Sequence, residues 1–314
     1  MMGKRFGATA ARRPFVVCAC LAVVGSLTCG VARQAQADDD DIVNANGFEL
    51  PFSTVFLGTG QLEGQVNPAG EGQILPPGQW LRTQAGGAST ANVQSAVFAP
   101  GGGSQAVRVD RAANEDTRWA VPVNHLGYPD YPNPFPPEPA QPCICLSWDM
   151  RVEQTVGAQD TFGPFFGVEA YDDDVNEVGL LGSLGVDAST GDILYQATGT
   201  GVLTETGSTV NFGDWNHFQI KLDYSTDQYT IFRNFGALGT FGFVDPNLDQ
   251  FSDGDIAALG AAGDAGSQAL TGTAYYDNFL IREGACPIPE PATLALVGLA
   301  LGIAIIGRRG RGQL

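Results

Sequence analysis

Several stretches in the middle of the chain alternate apolar and polar residues, which is the period of a half-buried β-strand. The clearest is 144–153, where every even position is apolar and every odd position is small or charged. Shorter stretches of the same kind are 106–110 and 218–223. Because the stretches are short and no segment carries a convincing helical period, the pattern predicts an all-β domain.

Turn-forming residues separate these segments and indicate hairpins. Residues 178–187 are expected to form one hairpin with residues 193–196, and residues 218–224 another with residues 228–235. Residues 275–281 are expected to form the last strand. The first strands are expected within residues 42–110, around Asn46-Gly47-Phe48-Glu49 and Val107. Many short strands joined by turns favour a sandwich of two antiparallel sheets.

One hairpin and the closing strand resemble those of a known family. Residues 215–224, which begin Trp215-Asn216-His217, and residues 229–234 are similar to the tryptophan strand and hairpin of concanavalin A-like and laminin-G-like jelly rolls. Residues 274–281 resemble the final strand of that family. The resemblance covers roughly residues 143–282 and implies a jelly-roll sandwich.

Residues 122–142 interrupt this pattern with eight prolines, so they form neither a central strand nor a helix. We expect a stiff insertion within one sandwich domain that spans residues 38–285. Either it is a plain connector, or its Tyr128, Tyr131 and Phe135 side chains stack on sugar rings or on a partner.

Residues 1–37 have the three-part layout of a secretory signal peptide. Four basic residues precede a mainly apolar run over 15–31, and Ala35-Gln36-Ala37 fits the small-x-small cleavage pattern. An uncleaved anchor is the alternative, but the apolar run is short for that role. Arg12-Arg13 also fits part of a twin-arginine signal, so both the general and the twin-arginine export routes stay open.

The other end of the chain carries a second apolar segment, 292–307, which is uncharged and is followed by Arg308, Arg309 and Arg311. As a helix it would be about 24 Å long, near the lower limit for crossing the hydrocarbon core. By the positive-inside rule the arginines would remain cytoplasmic. The sequence therefore predicts a C-terminal membrane helix, with the preceding domain secreted or held at the cell surface.

A short proline motif precedes this segment. Pro289-Glu290-Pro291, the apolar run and the terminal arginines, in that order, resemble the PEP-CTERM sorting tag, which would occupy residues 286–314. The resemblance implies recognition by an exosortase, a membrane enzyme that processes such proteins, and a cell that makes extracellular polysaccharide. It implies nothing about the activity of the domain that carries the tag.

The charge of the chain limits its partners. Its 34 acidic and 16 basic residues give a formal net charge of −18, and half of the basic residues lie in the two terminal segments. An acidic domain of this kind repels a phosphate backbone, which excludes nucleic acid as a partner. It would attract cations, and Asp172 and Asp174 are the best calcium candidates, although a solvated turn is the simpler explanation.

Three cysteines, Cys143, Cys145 and Cys286, remain after removal of the signal peptide, in a compartment where disulfides persist. Positions two apart in a strand are separated by about 6.6 Å and are poorly oriented for a bridge. A bridge from either Cys143 or Cys145 to Cys286 is expected if the last strand ends beside them, with one thiol left over. Three cysteines without a nearby histidine do not make a zinc site.

Catalytic motifs are missing from the sequence, and His125 and His217 are its only histidines. Glu169-Ala170-Tyr171-Asp172 lacks the Glu-x-Asp-x-x-Glu spacing of concanavalin-class glycosidases. We therefore expect a non-enzymatic surface or matrix protein that binds extracellular carbohydrate and needs no cofactor, with calcium as the one candidate ion. The alternatives are a glycan-active hydrolase whose carboxylates come from separate strands, and a structural surface protein without a ligand.

Overall fold

The computed structural model describes residues 41–67, 79–83, 87–122, 143–173 and 178–286. The predicted signal peptide, most of the proline-rich insertion, the sorting tag and the C-terminal apolar segment lie outside these ranges. The predicted site residues that lie outside them are Ala35, Ala37, Asp174, Pro289, Glu290, Pro291, Arg308, Arg309 and Arg311. No helix within the described ranges has the length and hydropathy that a membrane crossing requires.

Fifteen β-strands, one short α-helix, α1 (Ala265–Ala269), and two 3₁₀ turns, Asn46–Phe48 and Phe56–Gly58, make up the regular structure of the described residues. The strands are β1 (Asp41–Asn44), β2 (Leu81–Arg82), β3 (Thr90–Gln94), β4 (Ala106–Arg111), β5 (Thr117–Pro122), β6 (Cys143–Val152), β7 (Phe165–Asp173), β8 (Val178–Asp187), β9 (Asp192–Gln196), β10 (Leu203–Thr209), β11 (Asn216–Asp223), β12 (Gln228–Arg233), β13 (Gly236–Gly242), β14 (Asp253–Leu259) and β15 (Gly272–Glu283).

The strands form two antiparallel sheets. The first sheet has the order β13–β12–β11–β6–β15–β4–β3, and β1 also pairs with β15. The second sheet has the order β10–β9–β8–β7–β14–β5–β2. Strands that are distant in sequence meet at the centre of each sheet, with β6 between β11 and β15, and β14 between β7 and β5. The predicted all-β fold with two antiparallel sheets is confirmed.

The core lies between the sheets and is filled by the inward row of each strand. Trp148 of β6 stacks on Phe218 of β11 with ring centroids 5.9 Å apart, and both belong to the first sheet. Phe166 and Ile256 of the second sheet belong to the same buried cluster. Each large apolar side chain buried in this way contributes about 1.5–3 kcal/mol, so the cluster is the main source of stability.

Two tyrosine hydroxyls cross the core from the first sheet to the second. The hydroxyl of Tyr276 lies 3.2 Å from the carbonyl oxygen of Gly167 and 3.4 Å from that of Ala257. The hydroxyl of Tyr229 donates to the carbonyl oxygen of Gln196 at 2.5 Å. A buried phenol needs such a partner because an unpaired hydroxyl in the core is costly.

Most of the predicted strands are confirmed. The even positions of β6 are buried, the hairpins β8–β9 and β11–β12 are present, and the closing strand β15 is longer than expected. The strand predicted around residues 46–49 is wrong, because this segment forms a 3₁₀ turn over Asn46–Phe48. Asn46, Gly47 and Phe48 have φ values of 50°, 64° and 55°, and a strand does not accommodate these values.

The helix α1 has no counterpart among the predicted elements, since five residues are too few to give a helical period. A capping interaction fixes its start, because Asp264 accepts a hydrogen bond from the backbone nitrogen of Ser267 at 3.0 Å. The same carboxylate accepts bonds from the backbone nitrogens of Asp160 and Thr161. The helix therefore holds the loop before β7 in place.

A disulfide joins Cys145 of β6 to Cys286, just beyond the end of β15. The two strands are neighbours, and Glu283 pairs with Ile144 at that end. Cys143 keeps a free thiol. Because the bridge closes a loop across 141 positions, it strongly restricts the unfolded chain.

Replacing Cys286 with serine is expected to lower the free energy of unfolding by about 2–5 kcal/mol, since the unfolded chain regains its freedom. Urea unfolding followed by tryptophan fluorescence measures the change. The matched control is Cys143→Ser, which removes a sulfur from the same face without breaking the bridge. Equal destabilisation by both variants would contradict the assignment of the stabilising effect to the bridge.

Candidate functional site

The outer face of the second sheet carries a group of polar side chains at its centre. Strand alternation places Val168 and Ile256 in the core, so the neighbouring Glu169 and Asp255 point outward. Glu169 pairs with Asp255 on one side and with Ser183 on the other. Although these three side chains point away from the core, each is at most 2% exposed.

Both carboxylate oxygens of Glu169 accept hydrogen bonds. Oε2 accepts from Nε of Arg118 at 2.5 Å and from the hydroxyl of Tyr171 at 3.1 Å. Oε1 accepts from Nε2 of Gln196 at 2.5 Å. Three bonds, one of them from a charged donor, offset the loss of water around the buried carboxylate. We refer to Glu169, Arg118, Tyr171 and Gln196 as the Glu169 cluster.

The electrostatics of the cluster keep both donors protonated. Burial by itself would lower the pKa of Arg118, but the negative charge of Glu169 raises that pKa above its ordinary value overall. For Tyr171, burial raises the pKa, and the charge of Glu169 raises it further. The guanidinium is therefore a permanent cation, and the phenol remains a hydrogen-bond donor.

Arg118 is the member of the cluster that reaches solvent. Its side chain is 28% exposed, and its Cζ lies 5.9 Å from the centroid of the Tyr171 ring. Within the described residues Nε donates to Glu169, whereas Nη1 and Nη2 make no hydrogen bond. A guanidinium carries five N–H groups in a fixed fork, and the described residues occupy the one on Nε.

An apolar group borders the cluster on the same face. Ala257, which pairs with Arg118, packs with Phe165, Leu194 and Leu259 in a small cluster separate from the main core. Partly buried Phe162 packs against it. Apolar surface beside a few directed hydrogen-bonding groups is the usual composition of a small-molecule site.

A second polar group lies on the outer face of the first sheet, where Asp149 pairs with His217 across β6 and β11. Nδ1 of His217 and Oδ1 of Asp149 are 2.7 Å apart, and Nδ2 of Asn278 donates to Oδ2 of Asp149 at 2.7 Å. The His217 ring stacks on Phe235 with centroids 4.5 Å apart. Nε2 of His217 is buried and has no hydrogen-bond partner in the described part of the chain.

Asp277 lies beside this group and is fully buried. Its carboxylate accepts hydrogen bonds from the backbone nitrogens of Ala99 at 2.9 Å and Asn278 at 2.8 Å. Burial raises the pKa of Asp277 to about 7; the two backbone bonds oppose the shift, and the charges of Asp149 and Glu49 add to it. The group therefore changes charge near neutral pH while it is enclosed in the fold.

The calcium candidates are not brought together with further ligands in the described structure. Asp172 is buried near the end of β7, where its Oδ2 accepts a hydrogen bond from the backbone nitrogen of Gln250 at 3.1 Å. Asp174 lies outside the described residues. Among the residues that are described, no group of three or more His, Cys, Asp or Glu side chains is arranged to hold a metal ion.

Sequence reasoning missed Arg118 and Gln196, and it considered Glu169 only for its spacing along one strand. These two partners of Glu169 lie on β5 and β9, which are distant in sequence, so spacing within β7 carried no information about them. One signal was present. Arg118 precedes Trp119 and Val121 in an alternating segment, so its charge had to lie on the opposite face from a tryptophan core residue.

No protein-family model matches the chain, and no curated protein matches it. Among solved structures, cellulose-induced protein Cip1 is 10% identical, with 67% of this chain and 92% of that chain covered and a TM-score of 0.42. A botulinum neurotoxin type C structure, concerned with its interaction with two ganglioside molecules, is 11% identical, with 79% and 49% covered and a TM-score of 0.44. A sialidase is 10% identical, with 64% and 16% covered and a TM-score of 0.42. Likenesses of this size do not establish a shared function.

The raised pKa of Asp277 predicts a pH-dependent stability. In the unfolded chain the pKa is near 3.8 and in the fold it is about 7, so the folded state binds the proton more tightly. The contribution is fully present below pH 3.8 and is lost as pH rises to about 7. In urea unfolding, Asp277→Asn should flatten the decline in stability between about pH 4 and pH 7, which for one such group is at most about 1.4 kcal/mol per pH unit.

Asp214→Asn is the matched control for this measurement, because Asp214 is an exposed aspartate on the same domain. It should leave the pH profile of the wild-type protein unchanged. An Asp277→Asn profile with the full wild-type slope would show that another group causes the decline.

Proposed function

We propose that this chain is an exported surface or matrix protein whose sandwich, a jelly roll, binds extracellular carbohydrate through the Glu169 cluster. The observation that carries the proposal is the outward-facing Arg118, whose two terminal nitrogens make no hydrogen bond within the described residues. Glu169 fixes Nε at 2.5 Å, so the remaining N–H groups have a defined direction. A donor fork that is already ordered loses little entropy when it binds hydroxyl oxygens.

The neighbours of Arg118 suit a sugar. The half-buried Tyr171 ring lies under the guanidinium at 5.9 Å from Cζ, and an aromatic ring provides the apolar surface on which the C–H face of a sugar packs. Asp255 pairs with Glu169 across β14 and β7, which adds a second carboxylate beside the one positive charge. Because the local charge is negative, a neutral glycan is favoured over an anionic one.

The disulfide supports an extracellular location. Bridges such as Cys145–Cys286 form and persist in oxidising compartments. The signal-like residues 1–37 and the PEP-CTERM-like residues 286–314 point the same way. We propose export through the membrane, sorting by an exosortase, and release or attachment at the cell surface.

Binding is tested with the purified full chain on a panel of neutral and anionic polysaccharides by affinity electrophoresis. Tyr171→Ala should weaken binding to a neutral glycan at least tenfold, since the loss of aromatic stacking costs about 1.4 kcal/mol or more. Tyr171→Phe should retain most of the affinity. Phe235→Ala, which removes an exposed ring from the first sheet, is the matched control and should bind as the wild type does.

Failure of the wild-type protein to bind any glycan in the panel would overturn the binding proposal and favour a structural surface protein. Release of reducing ends from a bound glycan would instead favour a hydrolase.

The hydrolase alternative rests on the facing carboxylates. Directly paired residues on antiparallel strands have Cβ atoms about 4.5–5.5 Å apart, and Glu169 and Asp255 are paired in this way. Retaining glycosidases hold two carboxyl groups about 5–5.5 Å apart. Against this alternative, Glu169 is fully buried and both of its oxygens accept hydrogen bonds, so no oxygen is positioned to attack a sugar.

Export is tested by cell fractionation of the full chain and of a variant that lacks residues 287–314. The full chain should appear in the surface or extracellular fraction, shortened at both ends. The truncated variant should still leave the cytoplasm, because its signal peptide is intact, but should not be retained at the cell surface. A full-length cytoplasmic product from the wild-type gene would contradict the sorting proposal.

A further inference from the structure

Three cysteines gather on the outer face of the first sheet. Cys143 and Cys145 are two positions apart in β6, so strand alternation directs both side chains to this face. The chain after β15 returns across the same strand, since the backbone nitrogen of Gly284 donates to the carbonyl oxygen of Cys143 at 2.8 Å. Two residues later Cys286 bonds to Cys145. A free thiol and a disulfide therefore lie side by side.

A cation lies next to the free thiol. Lys221 of β11 pairs with Cys145, and Asp223 pairs with Cys143, so both face the three cysteines. Nζ of Lys221 lies 3.0 Å from Oδ2 of Asp223. An ammonium beside cysteines stabilises a thiolate, whichever of the sulfurs carries the charge.

We propose that Cys143 exchanges into the neighbouring disulfide, so that Cys286 is held alternately by Cys145 and by Cys143. Cys143 first loses its proton to water, and its thiolate attacks the sulfur of Cys286. The bond between Cys286 and Cys145 breaks, and Cys145 leaves as a thiolate that takes up a proton. One disulfide and one thiol are present before and after, so the step needs no oxidant or reductant.

The local backbone allows Cys286 to reach either Cys145 or Cys143. In a strand, positions two apart are separated by about 6.6–6.8 Å, so the attachment point of Cys286 moves by one strand repeat. The segment between Glu283 and Cys286 contains Gly284, whose φ of 88° lies in the left-handed region that glycine adopts readily. Only this short connection has to move, while the pairing of β15 with β6 is retained.

The charged groups around Cys143 control the rate of the exchange through the pKa of its thiol. Burial raises the pKa of Cys143, Lys221 opposes the shift, and Asp223 adds to it. Arg282 of β15 pairs with Cys145, and Asp41 of β1 pairs with Arg282, so both are further charged groups near the cysteines. The thiolate is therefore scarce at neutral pH, and its amount rises about tenfold with each pH unit below the pKa.

The exchange is tested without any reducing agent on the exported chain from residue 38 onward, which lacks Cys18, Cys20 and Cys29 of the signal segment. The protein is incubated at pH 6.5 or pH 8.5, quenched in acid, unfolded, and treated with N-ethylmaleimide; mass spectrometry then locates the label. The label should start on Cys143 alone and spread to Cys145, with a rate about 100-fold higher at pH 8.5 than at pH 6.5. A Cys143–Cys286 linked peptide should appear at the same rate.

Three variants make the outcome decisive. Cys143→Ser should show no label on Cys145 at either pH, whereas Lys221→Met should slow the spread of the label several-fold at pH 8.5. Cys145→Ser, folded in a glutathione buffer, should form the Cys143–Cys286 bridge. Label that stays on Cys143 at both pH values, or failure of folded Cys145→Ser to form that bridge, would overturn the proposal.

Discussion

The rest of the structure depends on one constraint, which is that each sheet must bury one complete face against the other. Along every strand the side chains alternate, so the core takes Trp148, Phe218, Phe166 and Ile256 and sends their neighbours to the outer faces. Glu169 and the cysteines of β6 occupy outward positions for this reason. The inner faces are filled by the core, so the polar side chains at these alternate strand positions lie on the outer faces.

The two outer faces carry buried acids, and each is satisfied differently. Glu169 accepts bonds from Arg118, Tyr171 and Gln196, one of which is a permanent cation. Among the described residues, Asp277 accepts bonds only from the backbone nitrogens of Ala99 and Asn278, and the charged groups that raise its pKa further are other carboxylates. A cation beside a buried carboxylate balances its charge within a fixed arrangement, whereas the pKa of a buried carboxylate among other acids is raised. The bonds to Glu169 orient the guanidinium of Arg118, whereas the raised pKa of Asp277 makes the stability of the fold depend on pH.

Local patterns predicted the strands well and the site poorly, because such patterns depend only on residues that are neighbours in the sequence. The alternation in β6 and the turns of the β8–β9 and β11–β12 hairpins are properties of neighbouring residues, and they were read correctly. The 3₁₀ turn at Asn46–Phe48 was missed because its positive φ values reflect packing against residues far along the chain, such as Gly102 near Gly47. The Glu169 cluster joins strands separated by dozens of positions, and single-strand spacing contains no information about such pairings.

The two outer faces differ in how accessible their polar groups are to a ligand. On the first sheet, the disulfide at Cys145 draws the chain after β15 across β6, and Phe235 covers the His217 ring. On the second sheet, Arg118 retains terminal N–H groups without a partner in the described chain and partial exposure to solvent. A ligand gains most where an ordered donor is accessible and no protein group must be displaced. We therefore propose that the first face holds the segment after β15 and that the second face binds the ligand.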